Sequence, residues 1–427
     1  MRLSTLFLIA AAGAQLACKP AQAPIRIGVL HSLTGTMAAS ERPVADAVLL
    51  AVEEVNQAGG VLGRRLEAVV ADGASDPEIF RREAERLVAQ ERVAAIFGCW
   101  TSASRKAVKE VVEGKDSLLF YPVQYEGLEL SPNIVYLGAA PNQQIIPAVT
   151  WAFSHLGKRF FFVGSDYVFP RTAHAIAKDV LRLVGGQVVG EAYAPMGGKD
   201  FAAIVEAIRK AKPDVILNTV NGDGNSYFFE ALHQAGFHPG TPVISLSLDE
   251  NVADAMRRHI QARHPGDAPH FLTEHLAGTY ACWSYFESVD VPGAAGLLGR
   301  FRRKYGQDRR VTDPMAAAYS GLLLWAQAVE ENGDFEHPRE LMSHLALLSR
   351  PGPGGVISVD GRSQHLSKTV RIGRLDQTGE FAVVWTSPLP VSPAPYPLFR
   401  RKAYWDGFLA ALQRGWGGRW TAPGAAP

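Results

Sequence analysis

The feature that most limits what this chain can fold into is its alternation of short apolar runs with longer stretches of helical periodicity. Residues 25–30 (I-R-I-G-V-L) read as a strand. Val44, Val48, Ala51, Val52 and Val55 then recur at helical spacing, predicting a helix over 44–58 that Gly59-Gly60 stops. A strand over 66–71 follows, then a helix with Asp76 at its cap and Pro77 at its first position. A strand over 93–97, a helix over 102–113 and a strand over 118–121 continue the order. The alternation restarts beyond Pro141-Asn142, with helices over 146–155, 172–184, 202–211 and 226–235. Strands over 159–164, 187–193, 214–219 and 242–246 lie between them. Strand–helix alternation with short connections demands parallel sheets covered on both faces. Two such runs of similar length predict two similar α/β lobes, and 427 residues are comfortable for two domains.

Past these runs the pattern changes. Residues 257–273 are rich in basic residues, Pro and His, and the spacing of His259, His264 and His270 fits no familiar metal site, so this stretch reads as a solvated loop. A strand and turn over 277–286 and helices over 294–304, 313–332 and 338–348 follow. Residues 354–385 look antiparallel, with a turn at Gln377-Thr378-Gly379. The Pro-rich run from Ser392 to Pro397 leads into an arm with Tyr404, Trp405, Phe408, Trp416 and Trp420 among Arg and Lys. That arm reads either as a membrane-surface helix or as a helix docked on the protein itself.

In an open α/β sheet, ligands bind beyond the carboxyl ends of the strands. Two neighbouring strand ends carry Trp100, Thr101 and Ser102, and then Tyr121, Gln124 and Tyr125. Asp166-Tyr167, Asn221 with Asp223, and Asp249-Glu250 follow three further strand ends. Five strand ends with amide, hydroxyl, carboxylate and aromatic groups suit a cleft between lobes. Glu53-Glu54 and Glu330-Glu331, by contrast, sit on helices as solvated faces.

Several chemistries are excluded. With 43 basic and 42 acidic residues the net charge is +1, which creates no field for nucleic acid or an anionic membrane. No G-x-S-x-G, G-x-x-x-x-G-K-[ST], H-E-x-x-H or C-x-x-C occurs, so neither an enzyme nor a bound cofactor is expected. The single nucleophile worth weighing is Cys99, which has no His nearby in sequence. Cys99 and Cys282 read as buried free thiols, with a bridge between them as the alternative.

Residues 1–23 read as an export signal: Arg2, then an apolar run over 3–14 too short to span a bilayer. Leu16-Ala17-Cys18 resembles a lipoprotein cleavage site that would leave Cys18 lipidated, although Gln15 stands where Leu is usual. Ala21-Gln22-Ala23 is a competing site for ordinary secretion, followed unfavourably by Pro24.

Taken in order, H-S-L-T-G-T-M-A (31–38), F-G-C-W-T-S-A-S-R-K-A-V (97–108), L-L-F-Y-P-V-Q-Y-E-G (118–127), G-S-D-Y-V-F-P-R-T (164–172) and T-V-N-G-D-G-N (219–225) make the chain resemble a known family. It is similar to periplasmic solute-binding proteins of the branched-chain amino acid transporter type, and most of all to the urea and short-chain amide receptors. The resemblance spans about residues 25 to 396. It implies a type I two-lobe fold, each lobe a parallel sheet flanked by helices, with three crossovers between lobes. It also implies a small-molecule ligand in the cleft and an ABC permease as partner. Lobe 1 would comprise 24–141 and 277–349, lobe 2 would comprise 142–276 and 350–396, and 397–427 would form a C-terminal arm. By motif the ligand-binding set is Trp100, Thr101, Ser102, Tyr121, Gln124, Tyr125, Asp166 and Tyr167, with Asn221, Asp223, Asp249 and Glu250 as weaker members. Phe169 departs from the Tyr that relatives often carry, and the arm beyond Phe399 has no clear counterpart. An amide-sensing regulator and a branched-chain amino acid binder are the alternatives.

Overall fold

The computed structural model describes residues 22–237, 240–263, 276–291 and 293–424. Cys18, and with it the reading of the leader, lies outside them, as do His264 and His270.

The first lobe begins with β1 (Ile25–His31), α1 (Ala38–Gln57), β2 (Leu66–Asp72), α2 (Pro77–Ala89), β3 (Ile96–Gly98), α3 (Ser102–Gly114), β4 (Leu119–Tyr121) and β5 (Ile134–Tyr136). The chain then enters the second lobe through α4 (Ile145–His155), β6 (Arg159–Ser165), α5 (Val168–Val184), β7 (Gln187–Ala194), α6 (Ala202–Ala211) and β8 (Val215–Thr219). That run ends with α7 (Gly224–Gln234), β9 (Val243–Ser245), α8 (Glu250–Arg263) and β10 (Tyr280–Trp283). It returns as α9 (Ala294–Tyr305), α10 (Asp313–Asn332), α11 (Pro338–Leu345), β11 (Ser349–Gly352), β12 (Gly355–Asp360) and β13 (His365–Ser367). A last crossing gives β14 (Arg371–Leu375) and β15 (Phe381–Thr386), and α12 (Lys402–Gly415) closes the chain.

Two mixed sheets result, in the orders β11-β12-β13-β5-β4-β3-β1-β2 and β15-β14-β10-β9-β8-β6-β7. The interior of each is parallel, and antiparallel strands finish one edge. Parallel strands buried on both faces need near-continuous apolar sequence, as in Phe160, Phe161, Phe162 and Val163 of β6, all buried. The chain crosses between the sheets three times, after β5, after β10 and after β13.

Several boundaries differ from the sequence reading. Strand β10, placed by sequence in the first lobe, pairs with β9 and β14 of the second sheet. Strands β11 to β13, placed mostly in the second lobe, belong to the first sheet, where His365 pairs with Tyr136. A crossover is a change of partner rather than of composition, so no local signal marks it. Helix α1 starts at Ala38 rather than 44 and carries Pro43 inside it. There the missing N–H costs one bond of a helix whose inner face (Val44, Val48, Ala51, Val52) is buried. The expected loop from 257 is helical up to Arg263, as the end of α8. Cys99 and Cys282 are buried free thiols. Helix α12 docks on α5 with Trp405 and Leu409 buried, so the arm packs on the protein itself.

Candidate functional site

Strand β3 ends at Gly98, where a Cβ would lie 2.0 Å from the Leu30 carbonyl oxygen, so only glycine fits. Cys99 follows with φ of 67°, a left-handed conformation that a non-glycine residue holds only where its surroundings enforce it. The Cys99 N–H donates to the Leu30 oxygen at 2.9 Å, which pins this turn. Thr101 then caps α3, its Oγ1 accepting from the Ser104 N–H at 3.1 Å. Ser102 is thereby the first residue of α3, buried at the cleft.

Behind Ser102 lies a buried charge cluster. The Ser102 hydroxyl donates to the Glu126 carboxylate in a short hydrogen bond and accepts from Arg105 Nη1 at 3.0 Å. Arg105 also donates to Glu126 at 3.1 Å and to Glu129 at 3.0 Å. Lys106 Nζ and the Tyr136 hydroxyl each reach Glu129 at 2.9 Å. The Arg105 guanidinium stands 4.9 Å from the centre of the Tyr121 ring and 4.4 Å from that of Tyr125. Burial opposes charge on Glu129, but Lys106 and Arg105 overcome it and hold its carboxyl below the usual range. His365 stacks on Tyr136 at 4.2 Å, and burial pushes its imidazole down to about 4. Its Nδ1 lies 2.6 Å from the Ser363 carbonyl, which requires N–H there and leaves Nε2 to accept from the Tyr125 hydroxyl at 2.5 Å.

The second lobe contributes Tyr167. Burial pushes its hydroxyl well up, Tyr121 and Glu126 add to the effect and Arg105 opposes it. Tyr167 therefore lies in the field of the first-lobe cluster. Gln124 bonds across the lobes, its Nε2 donating to the Leu246 carbonyl at 2.9 Å while its Oε1 is buried without a hydrogen-bond partner among the described residues. Trp100 is buried and its carbonyl accepts the Tyr121 hydroxyl at 2.6 Å. Trp100 and Tyr121 thus bond one another beside the Ser102 cluster, Tyr167 feels that cluster's charges, and Gln124 bonds across to the second lobe.

Other expected residues stand elsewhere. Tyr125 is a second layer, sandwiched between Arg105 and the Tyr136 and His365 rings. Asp166 is spent on a two-pronged pair with Arg171, at 2.8 and 2.9 Å. Asn221 bonds its own lobe, through Ser165 and the Thr219 carbonyl. Asp223 reaches the first lobe by its backbone N–H, 3.3 Å from Thr36 Oγ1, while partial burial raises its carboxyl against the opposing charges of His259 and Lys199. Asp249 caps α8 through the Val252 N–H at 2.8 Å, and burial raises its carboxyl to about 6. Glu250 accepts from the Glu287 N–H at 3.0 Å, and burial, then Asp249, push its carboxyl well up. These last two form a separate acidic group beside Asp313. Sequence reasoning passed over Arg105, Glu126, Glu129 and His365. A signal existed for Arg105, since Ser102, Arg105, Val108 and Val112 recur on one helical face and share burial.

Cys99 is fully buried, and burial followed by Glu41 pushes its thiol well up, the reverse of what a nucleophile needs. No helix among the described residues is long and apolar enough to cross a membrane.

The model of the family described as "Periplasmic binding protein domain" matches residues 25–402. The Leu/Ile/Val-binding protein homolog 8 of Brucella suis is 25% identical over 90% of this chain and 97% of its own. BraC3, a Leu/Ile/Val-binding protein of Rhizobium johnstonii, is 28% identical over 57% of this chain and 63% of its own. A limonene hydroxylase of Geobacillus stearothermophilus is 32% identical over only 29% of this chain, which spans 22% of that protein. Among solved structures, a solute-binding protein of an ABC transporter from R. palustris, in complex with 4-hydroxybenzoate, superposes with a TM-score of 0.74. It has 21% identity over 86% of this chain and 97% of that one. The leucine-binding protein LivK of Thermotoga maritima gives 0.70 at 19% identity, over 85% of this chain and 98% of that one. With a family model matched from the first strand to the start of the last helix, this chain belongs to the periplasmic binding protein domain family.

Proposed function

We propose that this receptor captures urea or a short-chain amide between its lobes and hands it to an ABC permease, after export and with Cys18 as a lipid anchor. The observation that carries the ligand class is how the polar groups at the site are already committed. Arg105, the cation beside Ser102, is neutralised by Glu126 and Glu129. An α-carboxylate or a benzoate would need a cation to spare, whereas a neutral ligand would not. The Ser102 proton is committed to Glu126 and the Tyr121 proton to the Trp100 carbonyl. Both oxygens can therefore only accept, as can the partnerless Oε1 of Gln124. A ligand rich in N–H groups satisfies such acceptors, and the Tyr167 hydroxyl suits its carbonyl oxygen. Leaving any of these groups unmatched in a closed site costs binding energy, which is how the site would select amides.

The test is thermal unfolding against millimolar urea, formamide, acetamide, leucine and 4-hydroxybenzoate, since a ligand specific to the folded state raises the midpoint with concentration. A rise with urea or an amide alone supports the reading. A rise with leucine or 4-hydroxybenzoate alone overturns it. In the positive case Ser102→Ala and Tyr167→Phe each weaken binding by about 1–3 kcal/mol.

A further inference from the structure

The C-terminal arm does more than cover the second lobe. Arg400 anchors it on α5 by two bonds to Asp179, at 2.8 and 2.7 Å. Helix α12 then buries Trp405 and Leu409, and Gly417-Gly418, both at positive φ, turn the chain back toward the cleft. Its last described residues pair with the loop that carries Tyr167. The Val168 N–H donates to the Trp420 oxygen at 3.0 Å, and the Ala422 N–H donates to the Asp166 oxygen at 3.0 Å. Tyr167 and Thr421 form the antiparallel bridge between these bonds. On its other side the same segment meets the first lobe, where the Lys106 ammonium sits 4.5 Å from the centre of the Trp420 ring. Lys106 is the residue that pairs Glu129, and Glu129 pairs Arg105. A cavity of about 340 Å³ lies where these parts meet, with Thr101 and Met37 from the first lobe, Met196 from the second, and Trp420 and Thr421 from the arm in its wall.

We propose that residues 420–422 are a working part of the binding site. They fix the backbone of Tyr167 by strand-like pairing, and through Trp420 on Lys106 they tie that position to the first lobe when the cleft is shut. The inference rests on Tyr167 serving the ligand site proposed above. Tyr167 needs such support because it precedes the first turn of α5, and its side chain caps nothing there. A hydroxyl that must meet a small ligand works only if its backbone is held within a fraction of an ångström. The cation over the indole contributes only when the lobes are together, so it acts on release more than on capture.

The test uses Trp420→Ala and Ala422→Pro, the second removing the N–H that reaches Asp166. Leu398→Ala, at a side chain 94% exposed, is the control. The proposal expects amide exchange at Val168 to speed up by roughly 2- to 10-fold in both variants and not in the control. It also expects ligand dissociation to speed up by a similar factor with association unchanged. A purely structural role for the arm would lower the unfolding midpoint without separating the two rates. Unchanged exchange at Val168 in both folded variants overturns the proposal, and so does a change confined to association. Should the wild-type protein bind neither urea nor an amide, the ligand reading fails. The arm is then judged on Val168 exchange and on a spectroscopic distance between the lobes, which must lengthen in Trp420→Ala.

Discussion

Replacing Arg105 with Met should unfold the logic of the site in an unequal way. Arg105 is fully buried and serves two carboxylates, Glu126 at 3.1 Å and Glu129 at 3.0 Å. Breaking a buried pair by removing one partner costs ~3–5 kcal/mol, because a charge is left without compensation. The structure says where that charge sits. Glu129 keeps Lys106 and the Tyr136 hydroxyl, each at 2.9 Å. Glu126 keeps only the Ser102 hydroxyl among the described residues. Most of the penalty therefore falls on Glu126. Neutralising it in the same chain, as Arg105→Met with Glu126→Gln, should recover ~2 kcal/mol. Arg105→Met with Glu129→Gln should recover nothing, since it strands Lys106 instead. The assay is equilibrium unfolding in guanidinium chloride followed by the fluorescence of the eight tryptophans, urea being avoided as a candidate ligand. Equal rescue by both double variants, or better rescue through Glu129, would refute this partition of the cluster.

Three further outcomes follow from the same geometry. Asp223→Asn should leave ligand affinity within about 2-fold of wild type by titration calorimetry, because Asp223 is exposed and its own contact with the first lobe is made by the backbone N–H, which the substitution keeps. His365 is held neutral, its imidazole lowered from 6.5 to about 4 by burial in a setting that also includes Arg105, Glu129 and Asp360. Because the folded value lies below the unfolded one, its contribution is present above pH 6.5 and is lost as pH falls toward 4. The loss amounts to about 3 kcal/mol, and His365→Gln should flatten the stability–pH curve across that window. Cys99 and Cys282 should react with a thiol reagent only at the rate of global unfolding, since both are buried and burial raises both thiols. Fast labelling of the native protein would contradict the packing around β3 and β10.

Local chemistry made most of the architecture legible. Through both α/β runs, strand and helix order follows from periodicities of 2 and 3.6 and from stop signals such as Gly59-Gly60. The Asp76-Pro77 start of α2 could be read outright, and the Asp76 side chain does accept from the Glu78 and Ile79 N–H groups. Strand-end loops likewise pointed to Trp100, Ser102, Tyr121, Gln124 and Tyr167, all of which are buried, because ligands in such folds meet the carboxyl ends of strands. What the sequence could not say was which polar groups those loops would already satisfy. Asp166 looked free and is bound to Arg171; Asp249 looked like a ligand and caps a helix. Such commitments depend on partners tens to hundreds of residues away, like Glu126 and Glu129 around Arg105, His365 on Tyr136, or Trp420 on Lys106. The crossover points escaped for the same reason, since pairing between β10 and β14 or β13 and β5 is a choice among distant strands. Sequence alone determined the two α/β runs and where their strands end, because those rest on local periodicity. Tertiary structure alone decided which polar side chains of those loops already have partners, because a buried hydrogen-bonding group is defined by what it has left unpaired.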